Sequence, residues 1–180
     1  MDKYNRTPHL TWSPGGTNDD KRIVTLDGLL NREIIITEKV DGSNVCLEHD
    51  AVYARSHAKA PKHPSFDALK ALHAQVKSRI PEGIQIFGEW CYAKHSIEYT
   101  SLPNYLLLFG VRDLDLKGHW NAWELVEDWA EQLEVSTVPL LGKCTGQLEL
   151  ASWTLRTLSY KRRSTTRTSP QKRQNPLDLS

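Results

Sequence analysis

The strongest constraint on the fold is a stretch in which two apolar runs flank an Asp-Gly pair. The first run is Glu33–Glu38 (EIIITE), the second is Asn44–Glu48 (NVCLE), and Asp41-Gly42 lies between them. Asp-Gly between alternating apolar runs is typical of a β-hairpin. Lys39 is unexpected here, because strand positions near a turn usually carry Val, Ile or Thr. The stretch therefore predicts a hairpin whose lysine is either solvated beside the turn or held there for chemistry.

Other apolar runs predict more strands of the same kind. Residues 84–90 (IQIFGEW) and 105–113 (YLLLFGVRD) have the pattern of buried strands, and residues 51–55 that of a short strand after a turn. No internal repeat is visible. Strands of this length with few helical segments predict an α+β fold with mainly antiparallel sheets.

Two segments have the periodicity of amphipathic helices. The first is predicted to begin after Ser65 as the N-cap and to end before Pro81. The second is predicted to begin near Asn121, with Glu124 as its partner in a capping box. The apolar residues recur at spacings of three and four, which gives each helix one buried stripe. The stripes consist of Phe66, Leu69, Leu72, Val76 and Ile80 in the first helix and Trp123, Val126, Trp129, Ala130 and Leu133 in the second.

The composition excludes several classes of protein. The three cysteines, Cys46, Cys91 and Cys144, are odd in number and far apart. This argues against a disulfide framework or a zinc cluster and fits a reducing compartment. No apolar run approaches the ~20 residues that span a bilayer, and the N-terminus lacks the pattern of a secretion signal. We therefore expect a cytoplasmic protein with no membrane partner.

Charge is distributed unevenly along the chain. Residues 156–180 hold seven Lys or Arg and one acid, a net charge of +6, which leaves 16 basic and 21 acidic residues, a net charge of −5, in residues 1–155. We expect residues 1–22 to form an ordered lead-in loop, residues 23–153 the folded domain, and residues 154–180 a disordered basic tail. Such a tail suits a polyanion, although a solvated chain end is the simpler interpretation.

The lysine before the turn belongs to a larger set of residues. The tetrapeptide Lys39-Val40-Asp41-Gly42 is weak evidence alone, since short motifs recur by chance. It is followed by Arg55 in "ARS", Glu89 in "FGEW" and Phe109 in "LLLFGVRD". This set, in this order, resembles the covalent nucleotidyltransferases, which comprise ATP-dependent RNA and DNA ligases and mRNA capping enzymes. The surrounding words, such as "GEWCYAKHSIEY", are closer to RNA ligases, and the resemblance spans roughly residues 4–142.

The resemblance implies an adenylation domain and a defined reaction. A lysine amine freed of its proton would attack the α-phosphate of ATP, expel pyrophosphate and leave a lysyl-adenylate. The AMP would pass to an RNA 5′-phosphate, and a 3′-hydroxyl would then displace AMP to seal the strand. The implied cofactors are ATP and Mg²⁺ or Mn²⁺, and the implied partner is RNA, with DNA ends as an alternative acceptor. The sequence identifies neither metal ligands nor protein partners.

The resemblance also implies a role for each site residue. Lys39 would carry AMP, and Glu38, Asp41 and Gly42 beside it are candidates for binding the nucleotide. The remaining nucleotide-binding candidates are Arg55 at the sugar or a phosphate, Glu89 at the ribose hydroxyl and Phe109 on the adenine face; Lys94 and His95 are candidates for substrate phosphate. Each has a plain structural interpretation as well, as a surface charge or a core residue.

The resemblance stops where two further signature strands are expected. One would have the form Glu-Gly-apolar-Val, and the next would carry one or two lysines that hold the phosphates. Residues 148–151 (LELA) lack the glycine, and nothing apolar follows the basic residues 160–163 (YKRR). The sequence therefore predicts a ligase truncated or altered after about residue 142, with impaired adenylation because the nucleophile loses its neighbouring cations.

Two other interpretations stay open at this stage. A non-catalytic remnant could bind nucleotide or RNA through the same pocket and the basic tail. Alternatively, the lysine and its turn could be an ordinary hairpin in an α+β domain. Transfer of GMP instead of AMP is also compatible with the motifs, although the surrounding words favour ATP.

Overall fold

The strands and helices coincide with the apolar runs of the sequence. The predicted helix caps and the predicted hairpin are corrected below. The structure is a computed structural model and describes residues 4, 5, 7–10, 20–23, 27–29, 32–55 and 60–145. The strands are β1 (His9–Leu10), β2 (Arg22–Ile23), β3 (Glu33–Thr37), β4 (Ser43–Leu47), β5 (Val52–Ala54), β6 (Ile84–Trp90), β7 (Leu106–Asp113), β8 (His119–Trp120), β9 (Ser136–Thr137) and β10 (Leu140–Thr145). The helices are α1 (Asp67–Val76) and α2 (Trp123–Gln132).

The described residues fall into two compact units. The first runs from Glu38 to Pro139, and the second holds the described residues of 4–37 together with residues 140–145. The predicted boundaries at residues 22 and 153 stay predictions, and the predicted tail lies outside the described residues.

A six-stranded sheet forms the first unit. Its order is β5-β4-β6-β7-β8, all antiparallel, and β9 adds to β7 in parallel. The middle of β6 and most of β7 are buried, which explains why both strands are continuous apolar runs instead of alternating ones. The fold is α+β with mainly antiparallel strands, as predicted.

Both predicted helices are present, with one apolar stripe each. In α2 all five predicted stripe residues are buried; in and around α1, Leu69, Val76 and Ile80 are buried, while Phe66 and Leu72 are partly exposed. Short 3₁₀ turns at Pro64–Phe66 and Lys77–Arg79 extend α1 at both ends.

The predicted caps of the two helices are wrong. Ser65 lies inside the first 3₁₀ turn, and its amide donates to Nδ1 of His63 at 3.2 Å, so His63 is the capping residue. Before α2, Ala122 occupies the N-cap position and makes no side-chain cap. Asn121 instead donates its backbone N–H to the carbonyl of Val111 at 2.9 Å, which ties it to the sheet.

The predicted hairpin is also wrong. β3 pairs with β10 and not with β4, whose partners are β5 and β6. Val40, in the middle of the segment between β3 and β4, is only 4% exposed and belongs to the core. We call residues 38–42, which connect strands of two different sheets, the crossing segment; the local Asp-Gly signal does not reveal this connection.

The second unit contains two small pairs of strands. β1 and β2 pair in parallel, and β3 pairs with β10 antiparallel, with Lys143 3.8 Å from Glu33 across that pair. Cys46, Cys91 and Cys144 are buried and form no disulfide bond. In the part of the chain that the structure describes, no helix has the length and hydropathy needed to cross a bilayer.

Candidate active site

The crossing segment holds Lys39 at the surface of the first unit. Lys39 is exposed and its neighbour Val40 is buried, so the valine anchors the backbone from which the amine extends. The next two amides are bound by side chains from distant parts of the chain. Asp41 N–H donates to the hydroxyl of Tyr99 at 2.8 Å, and Gly42 N–H donates to Oε1 of Glu89 at 3.0 Å. These side chains, together with the backbone hydrogen bond from Glu38 N–H to the carbonyl of Pro139 at 2.9 Å, fix the segment that carries the amine.

Gly42 is required by the close approach of β6. A Cβ at this position would lie 2.7 Å from the carbonyl oxygen of Trp90 and 3.0 Å from Sγ of Cys91. A backbone oxygen cannot move aside as a flexible side chain can. The absence of a side chain therefore lets the segment lie against the end of β6, within reach of Glu89.

Glu89 lies one residue before the end of β6, opposite Asn44 of β4. Burial raises the pKa of its carboxyl, and the hydrogen bond from Gly42 and the positive charge of Lys39 only partly oppose this effect. Because Lys39 acts on Glu89 electrostatically, the structure brings the predicted nucleophile and this predicted ribose ligand together. The carboxylate bonds to the turn through one oxygen, Oε1.

Asp41 is bound to the loop that follows β6. Its Oδ2 accepts the backbone N–H groups of Ser96 at 2.9 Å and Ile97 at 3.2 Å. Burial tends to raise the pKa of Asp41, but hydrogen bonds from the Ser96 side chain and backbone and from Ile97, with the nearby His95, outweigh it and hold the pKa below its usual range. Asp41 is thus an ionised acceptor that fastens this loop.

The two substrate-phosphate candidates lie on the same loop. Nε2 of His95 is 3.2 Å from Oγ of Ser43, the first residue of β4. Lys94 is exposed and its Nζ donates to Glu98 at 2.6 Å. His95 therefore joins the cluster of Lys39, Asp41 and Glu89, whereas Lys94 is paired along the loop.

Arg55 and Phe109 are placed by the sheet register. β5 ends at Ala54, opposite Val45, so exposed Arg55 follows at the level of Asn44. In β7, Leu108 pairs with Gly88 and Gly110 pairs with Phe87, which makes Phe109 the extra residue of a β-bulge. Bulges redirect side chains and are frequent beside active sites. Phe109 is only partly buried, unlike the leucines before it.

Sequence reasoning missed two residues of this cluster. Tyr99 lies in a loop with no periodicity, and the single hint was that this loop joins the strand of Glu89 to the next buried strand. Asn44 faces Glu89 across the β4–β6 ladder, and its buried Oδ1 makes no hydrogen bond. The apolar run around Asn44 made it look like an ordinary strand residue.

Lys39 is accessible and lies two residues before Asp41-Gly42, and Glu89 of β6 binds the amide of Gly42. This arrangement is the one expected of a covalent nucleotidyltransferase. The model of the RNA ligase family matches residues 32–173. This is well over half of the chain, and the chain belongs to the RNA ligase family. The match continues beyond residue 142, where the resemblance read from the motifs ended. No curated protein sequence matches the chain.

Solved structures support the same fold at low sequence identity. An archaeal ATP-dependent RNA ligase matches with a TM-score of 0.55 at 18% identity, covering 77% of this chain and 39% of that protein. A lysine-to-alanine variant of Naegleria gruberi RNA ligase, solved with ATP and Mn, matches with a TM-score of 0.51 at 15% identity, covering 68% of this chain and 40% of that protein. The chain spans about two fifths of the length of these ligases.

Proposed function

We propose that the chain is an ATP-dependent RNA ligase-type nucleotidyltransferase that forms a lysyl-AMP intermediate on Lys39. The observation that carries the proposal is the 3.0 Å hydrogen bond from Gly42 N–H to Glu89. It fixes the backbone that follows exposed Lys39 against β6, whose Glu89 carboxylate would bind the nucleotide. The membership of the RNA ligase family supports the same reaction.

The first step would join Lys39 to AMP. The neutral Nζ attacks the α-phosphorus of ATP, the bond to the bridging oxygen of the β-phosphate breaks, and pyrophosphate leaves. The amine proton is released to solvent, and a phosphoramidate bond remains. Because phosphoryl transfer depends mainly on positioning and charge neutralisation, the rigid backbone around the amine is the contribution this segment makes.

The neighbouring residues would bind the rest of the nucleotide. Glu89 holds Gly42 with Oε1, and its second oxygen would accept a ribose hydroxyl. The ring of Phe109, set out of register by the bulge, would stack on adenine, since aromatic faces bind bases. Arg55 would contact the sugar or the 5′-phosphate of the acceptor. Glu38 and Asp41 flank the amine, and Asp41 would orient its backbone.

The family implies a divalent metal, Mg²⁺ or Mn²⁺. Within the described residues, no three His, Cys, Asp or Glu side chains are grouped closely enough to hold a metal ion. Mg²⁺ commonly keeps its waters and binds through one or two carboxylates and the substrate phosphates. Such an ion would therefore enter with ATP, supplying charge neutralisation at the phosphates, and the roles given above belong to the chain's own residues.

The acceptor would be an RNA end. After adenylation, AMP passes from Lys39 to an RNA 5′-phosphate, and a 3′-hydroxyl displaces AMP to form the phosphodiester. Lys94 and His95 lie on the loop beside Ser43 and would contact the acceptor phosphate. DNA ends are the alternative acceptor. We place this reaction in the cytoplasm, in line with three free cysteines.

Covalent labelling tests the proposal directly. The chain is incubated with ATP labelled at the α-phosphate and Mg²⁺ or Mn²⁺, and label is measured on a denaturing gel. We expect label on the wild type and none on Lys39→Ala or Lys39→Arg, because a guanidinium stays protonated. Lys62→Ala, which removes another exposed lysine, is the matched control and should keep its label.

A second candidate function is nucleotide or RNA binding without catalysis. It is favoured by residues 148–151 (LELA), which lack the glycine of the expected Glu-Gly-apolar-Val pattern. Filter binding of ATP or RNA by a chain that takes up no covalent label would support this function and contradict the first. Label that persists in Lys39→Ala would mean that the nucleophile has been assigned wrongly.

A further inference from the structure

Hydrogen bonds join the turn of residues 41–43, which follows Lys39, to the loop after β6. Asp41 N–H donates to Tyr99, Asp41 Oδ2 accepts from Ser96 and Ile97, and Ser43 Oγ bonds to His95. We call this set the loop clasp. The loop clasp joins residues 41–43 to residues 95–99 through both the backbone amide and the side-chain carboxylate of Asp41.

The contacts of Asp41 are reciprocal. Its carboxylate orders the loop by accepting two loop amides, and the loop returns a hydroxyl that accepts the amide of Asp41. A carboxylate bonded to backbone amides is a strong, charge-assisted contact. The hydroxyl is therefore placed by the same residue whose backbone it fixes, and the turn and the loop stabilise each other.

The hydroxyl of Tyr99 is suited to this contact. Burial raises the pKa of Tyr99, with the negative charges of Glu38 and Asp41 adding to the effect, so the phenol stays neutral at ordinary pH. A neutral hydroxyl accepts an amide proton with one lone pair and still has its own proton to donate. Without this hydroxyl the partly buried amide of Asp41 would lose its acceptor.

We propose that Tyr99 is a positioning residue for Lys39, which acts by holding the amide of Asp41 through the loop clasp. The inference rests on the proposed adenylation function and deepens it. Lys39 lies two residues before the clasped amide, and the backbone that follows it is held by buried Val40 and by the bond from Asp41 to Tyr99. Small displacements of a nucleophile reduce reaction rates strongly, so a loose turn would slow the attack on ATP more than it weakens ATP binding.

The test compares Tyr99→Phe with Tyr92→Phe. Both variants lose one phenol oxygen from the same loop; Tyr92 is 51% exposed and stacks on Trp90 outside the clasp. Three quantities are measured on the full chain: the single-turnover rate of lysyl-AMP formation at saturating ATP, the Kd for ATP, and amide hydrogen exchange in the peptide that spans residues 38–43. Thermal unfolding monitors folding.

For Tyr99→Phe we expect the saturating rate to fall about tenfold or more, since an unsatisfied amide has a penalty of that order. The Kd for ATP should change less than about threefold, and exchange in residues 38–43 should become faster, while the unfolding temperature falls by no more than a few degrees. Tyr92→Phe should match the wild type in all three quantities.

The outcomes separate this proposal from the proposed function. If the wild type is labelled and Tyr99→Phe reacts at the same rate, or loses rate only in step with its unfolding temperature, the positioning role is wrong and the adenylation function stands. Unchanged exchange in residues 38–43 also overturns it. If the wild type takes up no label, the proposed function fails and the positioning role fails with it, even where exchange confirms that the clasp exists.

Discussion

Strands β6 and β7 carry polar side chains at both ends, and the two ends are built differently. At one end Gln85 pairs with Arg112, which is 5% exposed and lies over the rings of Phe87 and Trp120 at 5.7 and 5.4 Å. The guanidinium donates to Oε1 of Gln85 from two nitrogens, and Gln85 donates to Glu48 at 2.5 Å. We call this set the buried arginine end.

At the other end of β6, Glu89 binds the amide of Gly42, three residues after the exposed Lys39. Only one of its oxygens is bonded to the turn, Lys39 is exposed, and the adjoining loop contains exposed Lys94 and His95. The buried arginine end uses its polar groups to satisfy one another, whereas the lysine end keeps an exposed amine and a part-buried carboxylate with a single hydrogen bond. Polar groups in a core strand thus indicate chemistry only when some of their bonding capacity faces solvent.

The largest stability effect is expected at the buried arginine end. Arg112→Ala removes the packing of the guanidinium against two rings and leaves Gln85 Oε1 without its donor, which should lower the free energy of unfolding by about 3 kcal/mol. Arg79→Ala is the matched control, because Arg79 bonds to Gln132 and Glu134 at the surface, and it should lower the free energy by less than ~1 kcal/mol. Urea denaturation gives both values.

The second measurement compares lysyl-AMP formation by Arg112→Ala and by the wild type. Measured per folded molecule, it should be unchanged in Arg112→Ala. A strong loss of label in a fully folded Arg112→Ala protein would show that the two ends of the strands do not have separate roles.

A smaller effect is expected at Gly42. In Gly42→Ala the new Cβ meets the carbonyl oxygen of Trp90 at 2.7 Å, so the turn must shift, at about 2 kcal/mol of stability. Gly28→Ala is the control, because nothing lies within 4 Å of a Cβ there. Urea denaturation should separate the two variants, and the shifted turn should also reduce labelling. Equal stabilities would mean that the close approach of the turn to β6 has been misjudged.

The next prediction concerns the pH dependence of Glu89. Its folded pKa is raised, mainly by burial, so between the ordinary and the raised pKa the folded chain binds more protons than the unfolded chain. Stability is therefore lost as pH rises through this window. Glu89→Gln removes the ionisation, and we expect its stability relative to the wild type to increase as pH rises from the ordinary glutamate pKa of about 4.3 through the raised one.

Chemical denaturation at a series of pH values checks this prediction. Glu82→Gln, at an exposed position, is the matched variant. A stability difference between Glu89→Gln and the wild type that is constant with pH would argue against a desolvated carboxyl at the end of β6.

The smallest effect, of opposite sign, is expected for Asp41. Its folded pKa is lowered because the bonds from the loop outweigh burial, so its contribution to stability is present above the ordinary pKa and is lost as pH falls through the folded value. Asp41→Asn lacks this loss, and its stability relative to the wild type should increase below about pH 4. Thermal unfolding measures the difference, with exposed Asp128→Asn as control. A difference that decreases towards acid pH would contradict the loop clasp.

The sequence predicted the buried strands, the helices and the family, because each rests on local periodicity or on the order of motifs. It also paired Lys39 with Glu89, which are 50 residues apart in the chain. It did not predict that β3 and β4 lie in different sheets, since this depends on strand partners that are far away along the chain.

Long-range contacts to single polar atoms account for the rest of what was missed. Tyr99 is 58 residues from the amide it accepts, and no spacing rule connects the two. Asn44 and Arg112 stand in apolar runs where a polar residue can be structural or functional. Only the three-dimensional neighbours separate the paired Arg112 from Asn44, whose oxygen is unbonded.

The bulge in β7 has a consequence for insertions and deletions in the chain. If Phe109 were deleted, Leu108 and Gly110 would become neighbours, and each would keep its present partner, Gly88 and Phe87, in one regular ladder. The sheet could thus be built with one residue fewer, and its hydrogen bonding does not require an aromatic at this place. A shortened strand that folds normally but no longer recognises adenine would show that this ring is retained for its ligand and not for the architecture.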